Sequence, residues 1–144
     1  MILKISRPAF QANIVALLLC VATLAWGVEI VVHPGVPAAE VSRPLARLIF
    51  GAKVTRWEDG SAIRVFVLSD ESPLHQEMTK GILDMYPYQL RAVWDRVIYT
   101  GIGQAPIPVA NESEMRKRVA SVPGAIGYVG RVLSNDKVRA LPVR

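Results

Sequence analysis

The chain has 144 residues, a formal net charge of +5, and 51% hydrophobic against 20% charged residues. That is enough for one domain with a modest core, and too apolar for a disordered segment. The basic excess is small, and no Lys/Arg run interleaves with aromatics, so a nucleic-acid surface is not expected.

Residues 1–27 read as a secretory leader. Lys4 and Arg7 make a positive start, the apolar run Ile14–Trp26 follows, and Ala25-Trp26-Gly27 places small residues at the first and third positions of a cleavage site. The run is about 13 residues, short of the ~20 that a spanning helix needs. An uncleaved N-terminal anchor is the competing reading, and it is the only membrane contact expected. A lipoprotein fits less well, because Leu19 precedes Cys20 where a small residue belongs. Cleavage leaves one domain over 28–144, without the lone cysteine, and therefore without disulfide or thiol chemistry. That combination suits a bacterial periplasm.

Along that domain, VEIVVHP (28–34) reads as a buried strand closed by prolines and a glycine. A helix follows, with Ser42 as its cap and Leu45, Leu48 and Ile49 as its apolar face, stopped by Gly51. Asp59-Gly60 marks a turn. IRVFVL (63–68) is the clearest strand, apolar enough to be buried on both faces. The next helix is expected from Pro73 to about Met85, with Leu74, Met78, Ile82 and Met85 at helical spacing. Pro87 breaks it and starts another, whose stripe is Leu90, Val93, Trp94 and Val97. Residues 101–109, GIGQAPIPV, read as a Gly/Pro loop, whose G-x-G lacks the third glycine and the leading strand of a dinucleotide site. Asn111 and Glu114 stand at capping-box spacing for a helix to about Ser121, and MRKRVA (115–120) reads as its solvated face. Ala125–Val129 and KVRALPV (137–143) are the last strands. The order implies an α/β fold, a small mixed sheet flanked by helices, with right-handed crossovers between parallel strands.

Chemistry is sparse. The only histidines are His33 and His75, there is no G-x-S-x-G, and Ser72 with His75 at a helix start is a poor nucleophile–base pair. No ligand spacing suggests a metal or another cofactor, and Asp70-Glu71 reads as turn chemistry. An enzyme is not expected. SDESPLHQEM (69–78) holds the one candidate binding feature. Amides in the first turn of a helix lack carbonyl partners and lie at the positive end of the dipole. Ser72 can cap the helix or donate its hydroxyl to an anion there. Pro73 removes one donor, leaving the amides of Leu74 and His75, and a protonated His75 would add charge. A plain cap and an anion site are both open on these residues.

Three phrases in order, IVVHP, LARLIFGAKVTRWEDGSAIRVFVLSDESPLHQEM and VPGAIGYVG, resemble the phosphate-binding proteins of bacterial phosphate-import ABC transporters, in the type 2 periplasmic-binding-protein superfamily. The closest runs are Ile49–Trp57 and Gly124–Val129. The resemblance implies a two-lobed fold that clamps an anion, of which this chain is a single lobe. It also implies an arginine where Leu68 stands, and Ser-Gly-Thr where Ser72-Pro73-Leu74 stands. Only the serine carries over. The expectation is an exported, non-enzymatic solute-binding-like domain that takes phosphate or another small oxyanion weakly, through Ser72, Leu74 and His75. The alternative is a periplasmic accessory module that has lost its ligand and uses the lobe face to meet another protein or a second copy of itself.

Overall fold

The computed structural model describes residues 27–144. All of the expected leader except Gly27 lies outside the described residues, as does Cys20. The described residues build a five-stranded sheet of β1 (Glu29–Val32), β2 (Arg64–Val67), β3 (Ile107–Pro108), β4 (Ala125–Val129) and β5 (Arg139–Ala140), in the order β3-β2-β4-β1-β5. β2 runs parallel to both β3 and β4, while β1 is antiparallel to β4 and β5, so the sheet is mixed. The helices are α1 (Arg43–Phe50), α2 (Pro73–Glu77), α3 (Pro87–Thr100) and α4 (Glu112–Ser121), with a π-helical turn over Met78–Ile82 continuing α2.

β4 fixes the layers. Its five residues are all buried, and alternate side chains of a strand face opposite ways. The Tyr128 ring meets Phe50 and His75, from α1 and α2. Its neighbour Gly127 faces α4 so closely that a Cβ there would stand 2.5 Å from Met115 Sδ. So α4 covers one face and α1 to α3 the other. Phe66 on β2 shares the α4 side, with the Arg118 guanidinium over its ring. Phe50, Phe66, Tyr128, Ile126 and Met115 are fully buried, each contributing about 1.5–3 kcal/mol of transfer energy. Trp94 Nε1 donates to Phe50 O at 2.7 Å and Trp57 Nε1 to Gly124 O at 3.0 Å, so both buried indoles are satisfied. Among the described residues, the buried core runs from Ile30 to Leu141.

The local signals mostly hold. Ser42 Oγ accepts the Leu45 amide at 3.3 Å, and Pro44 takes the second helical position. Asn111 Oδ1 accepts the Glu114 amide at 2.9 Å, while Glu114 Oε2 reaches back to the Ala110 amide at 2.7 Å. Asp59 Oδ1 accepts the Ser61 amide, and Gly60 sits at φ 85°, where a side chain is strained.

Several expectations are corrected. α1 buries Ala46, Ile49 and Phe50, and leaves Leu45 and Leu48 exposed. Its exposed arginines instead tie it down, Arg43 donating to Gly81 O and Arg47 to Asp84 O. The expected helix from Pro73 to Met85 is α-helical only to Glu77 and then widens. The Leu83 amide reaches Met78 O at 3.2 Å, a five-residue span. Gly81 favours that loosening because it is a weak helix former, and the wider turn keeps Met78, Ile82 and Leu83 in the core. The supposed loop over 101–109 contains β3. β2 is only half-buried at Arg64 and Val65.

Candidate functional site

β2 and β3 are neighbours, yet the chain leaves β2 for α2 on one face and leaves β3 for α4 on the other. The carboxyl ends of β2, β3 and β4 therefore open into one crevice, a groove of about 880 Å³. Its walls are Leu68 and Ser72 to Leu74 after β2, Ala110 to Glu112 after β3, and Gly130, Arg131 and Leu133 after β4. In open α/β sheets, a crevice at such a divergence is where ligands bind.

Ser72 and Leu74 both line this groove. Ser72 is the N-cap of α2. Its Oγ accepts the His75 amide at 3.4 Å and its own amide donates to Ser69 O at 3.0 Å. Pro73 has no N–H. The Leu74 amide, at the second helical position, is the first-turn donor that neither the cap nor the helix consumes. The Ser72 hydroxyl proton is the second free donor.

The His75 side chain lies elsewhere. It is fully buried and packs against Tyr128 and Trp94. Nδ1 is 2.5 Å from Tyr128 Oη, which also accepts the Leu68 amide at 2.8 Å. The arrangement suits a Tyr128 hydroxyl that accepts the Leu68 amide and donates to Nδ1, with the imidazole proton on Nε2. Nε2 has no hydrogen-bond partner, and Asp70 Oδ1 is 3.6 Å away. Burial pushes the His75 pKa below its ordinary value, outweighing the raising effect of Asp70, and Arg91 lowers it further. The imidazole is therefore neutral at neutral pH, so it does not supply the positive charge that a protonated His75 would add. Burial likewise pushes the Tyr128 hydroxyl up, keeping it protonated.

Asp70 is more than a turn residue. Arg91 grips it with two bonds, Nε to Oδ2 at 3.1 Å and Nη2 to Oδ1 at 2.9 Å, joining α3 to the loop before α2. Its charge is thereby spent away from the groove mouth.

The sequence reading missed the opposite wall. Arg116, taken there as part of a solvated face, is partly buried. It bonds Asp136 and donates to Arg131 O at 2.8 Å. Glu112 Oε1 accepts the Gly130 amide at 2.7 Å. Arg131 is exposed and has no acidic partner among the described residues. No group of three or more metal-ligating side chains occurs among the described residues, and none of their helices is long and apolar enough to cross a membrane.

Comparison with solved structures agrees with this fold. An ABC-type phosphate transport receptor from Vibrio cholerae superposes with a TM-score of 0.59 at 18% identity, over 81% of this chain and 46% of its own. A putative phosphate ABC transporter substrate-binding protein with bound phosphate from Clostridium perfringens gives 0.64 at 18% identity, over 81% and 44%. A possible phosphate binding protein from Planctomyces limnophilus gives 0.61 at 17%, over 82% and 41%. The chain has the fold of one lobe of a periplasmic binding protein. It spans less than half the length of each of these structures. The sequence matches no family model and no curated protein.

Proposed function

We propose that this chain is a non-enzymatic, exported solute-binding-like lobe that takes a small oxyanion such as phosphate weakly at the groove. The single observation behind this reading is the crevice at the carboxyl ends of β2, β3 and β4, with Ser72 and Leu74 on its wall. The lobe is residues 28–144, delivered to the periplasm by a cleaved leader at 1–27. The anion accepts hydrogen bonds from the Leu74 amide and the Ser72 hydroxyl. His75 contributes by fixing the cap through its amide, not by charge. Leu68 supplies no cation, and a charge-assisted contact is worth about 1.5–3 kcal/mol. Affinity is accordingly weak, with Kd on the order of millimolar.

Calorimetric titration of phosphate into residues 27–144 tests this. Saturable heat that disappears in Ser72→Ala, with the fold retained by circular dichroism, supports the oxyanion site. A flat titration of the folded wild type contradicts it.

One observation favours a second reading. Leu68, Pro73, Leu74 and Leu133 give the groove an apolar lining where a tight anion site needs donors. Such a surface suits a protein-interaction module that has lost its ligand. The groove is then the contact face.

A further inference from the structure

We propose that the overhanging end of α3 and the loop after it dock this lobe on an anionic phospholipid bilayer, with its apolar tips entering the interface. α3 buries Leu90 and Trp94 and no residue after them. Its last turns therefore run past the core, and Gly101, at φ 65°, ends them. Three large apolar side chains stand on this overhang. Ile98, Tyr99 and Ile102 are 61%, 94% and 77% exposed. Single exposed apolar residues are ordinary, but three this close in the chain make a patch.

Cations gather beside it. Lys53 and Arg96 line the same hollow as Ile102. Arg56 and Arg64 line an adjoining hollow, which shares Ala52, Thr55 and Gly103 with the first. A Cβ at Gly103 would stand 3.6 Å from Val97 Cγ1 and 3.7 Å from Ala52 O, so the loop after α3 and the turn after α1 form one surface. Arg64 donates to the Gln104 side chain, which ties that loop to β2. No carboxylate lines either hollow. None of the four cations has an ion pair among the described residues. Asp95, the acid on the same end of α3, lines neither hollow.

Projecting apolar tips beside unpaired cations match the chemistry of a bilayer surface. Tyrosine settles at headgroup depth, isoleucine reaches the acyl boundary, and lysine and arginine meet headgroup phosphates. An acidic protein would need shaped pockets for Tyr99 and Ile102 as well as carboxylates. A bilayer needs no such pockets, because it yields to whatever projects. The surface lies at the start of β2, at Ile63 and Arg64, whereas the groove opens beyond the other end of that strand, at Leu68. A lobe docked this way leaves the groove uncovered, so the inference stands apart from the oxyanion reading.

Flotation of residues 27–144 with phosphatidylglycerol or phosphatidylcholine vesicles tests the docking. The apolar run 14–26 is omitted because it would enter lipid by itself. Lys53, Arg96, Tyr99 and Ile102 are all exposed, so substitutions there keep the fold, and circular dichroism verifies it. The expected result is binding to phosphatidylglycerol vesicles that falls as salt rises, with far less binding to phosphatidylcholine. Tyr99→Ser with Ile102→Ser should weaken it roughly tenfold or more, and Lys53→Glu with Arg96→Glu by about as much. A folded wild type that stays off phosphatidylglycerol vesicles overturns the inference. Binding indifferent to both pairs also overturns it, because another face then makes the contact. Binding that only the charge pair weakens overturns the entry of the apolar tips. Binding to polyglutamate but not to vesicles overturns it as well, and gives the surface to an acidic protein.

Discussion

Tyr128 Oη and His75 Nδ1 lie 2.5 Å apart although 53 residues separate them in the chain. This contact ties the central strand β4 to the first turn of α2, directly behind the groove wall. Because Tyr128 Oη also accepts the Leu68 amide, one hydroxyl holds the end of β2, the helix start and the strand between them. Trp94 and the Asp70–Arg91 pair enclose the imidazole from the other side.

The first prediction concerns this hydroxyl. Tyr128→Phe keeps the ring but leaves the Leu68 amide and His75 Nδ1 buried without partners. A buried polar group that loses its partner costs about 1–3 kcal/mol. Urea denaturation should show the midpoint falling with an unchanged slope.

The second concerns pH. His75 is depressed in the folded state, so the unfolded chain binds more protons between the folded pKa and the ordinary value of about 6.5. Stability from its neutrality is fully present above about 6.5 and is lost as pH falls toward the folded pKa. The groups facing it are Asp70, Arg91 and Tyr128. Wild-type stability should decline as pH falls below about 6.5, with a slope of up to about 1.4 kcal/mol per unit from this group until the folded pKa is passed. His75→Gln should flatten that part of the curve, read by denaturant titrations at stepped pH.

The third concerns Gly124. It sits at φ 78°, and a Cβ there would stand 2.1 Å from Ala62 O, which is backbone and cannot rotate away. Gly124→Ala should therefore force β4 off β2 at the Arg64–Gly124 bond. A loss of roughly 3 kcal/mol or more is expected from strain and the broken ladder together. Thermal unfolding compared with the wild type measures it.

The fourth concerns the other helix start at the groove. Asn111→Ala removes the acceptor of the Glu114 amide and should cost about 1 kcal/mol, visible in the melting temperature. Glu114→Gln should cost less, because its side chain can still accept the Ala110 amide.

The particular residues explain what could be read from the sequence. Ala125–Val129 and the Asn111–Glu114 cap were legible because strand burial and capping are local. Ser42 and Gly60 were legible for the same reason. α1 was not. Its apolar residues at 45, 46, 48, 49 and 50 encircle a short helix, and only contact with Tyr128 decides that Phe50 faces inward. β3 is two residues long and contains a proline, which weakens the strand signal. Ser72 and Leu74 were singled out by the helix start itself, where first-turn amides lack partners, and the family resemblance carried over the serine alone. The burial of the His75 side chain was not legible, because Tyr128 lies far away in sequence. Arg131 escaped notice because a lone arginine after a strand carries no pattern until the fold gathers three strand ends around it.

The central claim is that the groove mouth at Ser72 meets a small oxyanion with two donors and no more. Titrating phosphate into isotopically labelled residues 27–144 and following backbone amide resonances tests it most directly. The Leu74 amide should shift most, together with Ser72, and saturate in the millimolar range, while amides of α3 stay still. A Leu74 resonance that does not move at saturating phosphate would contradict the account.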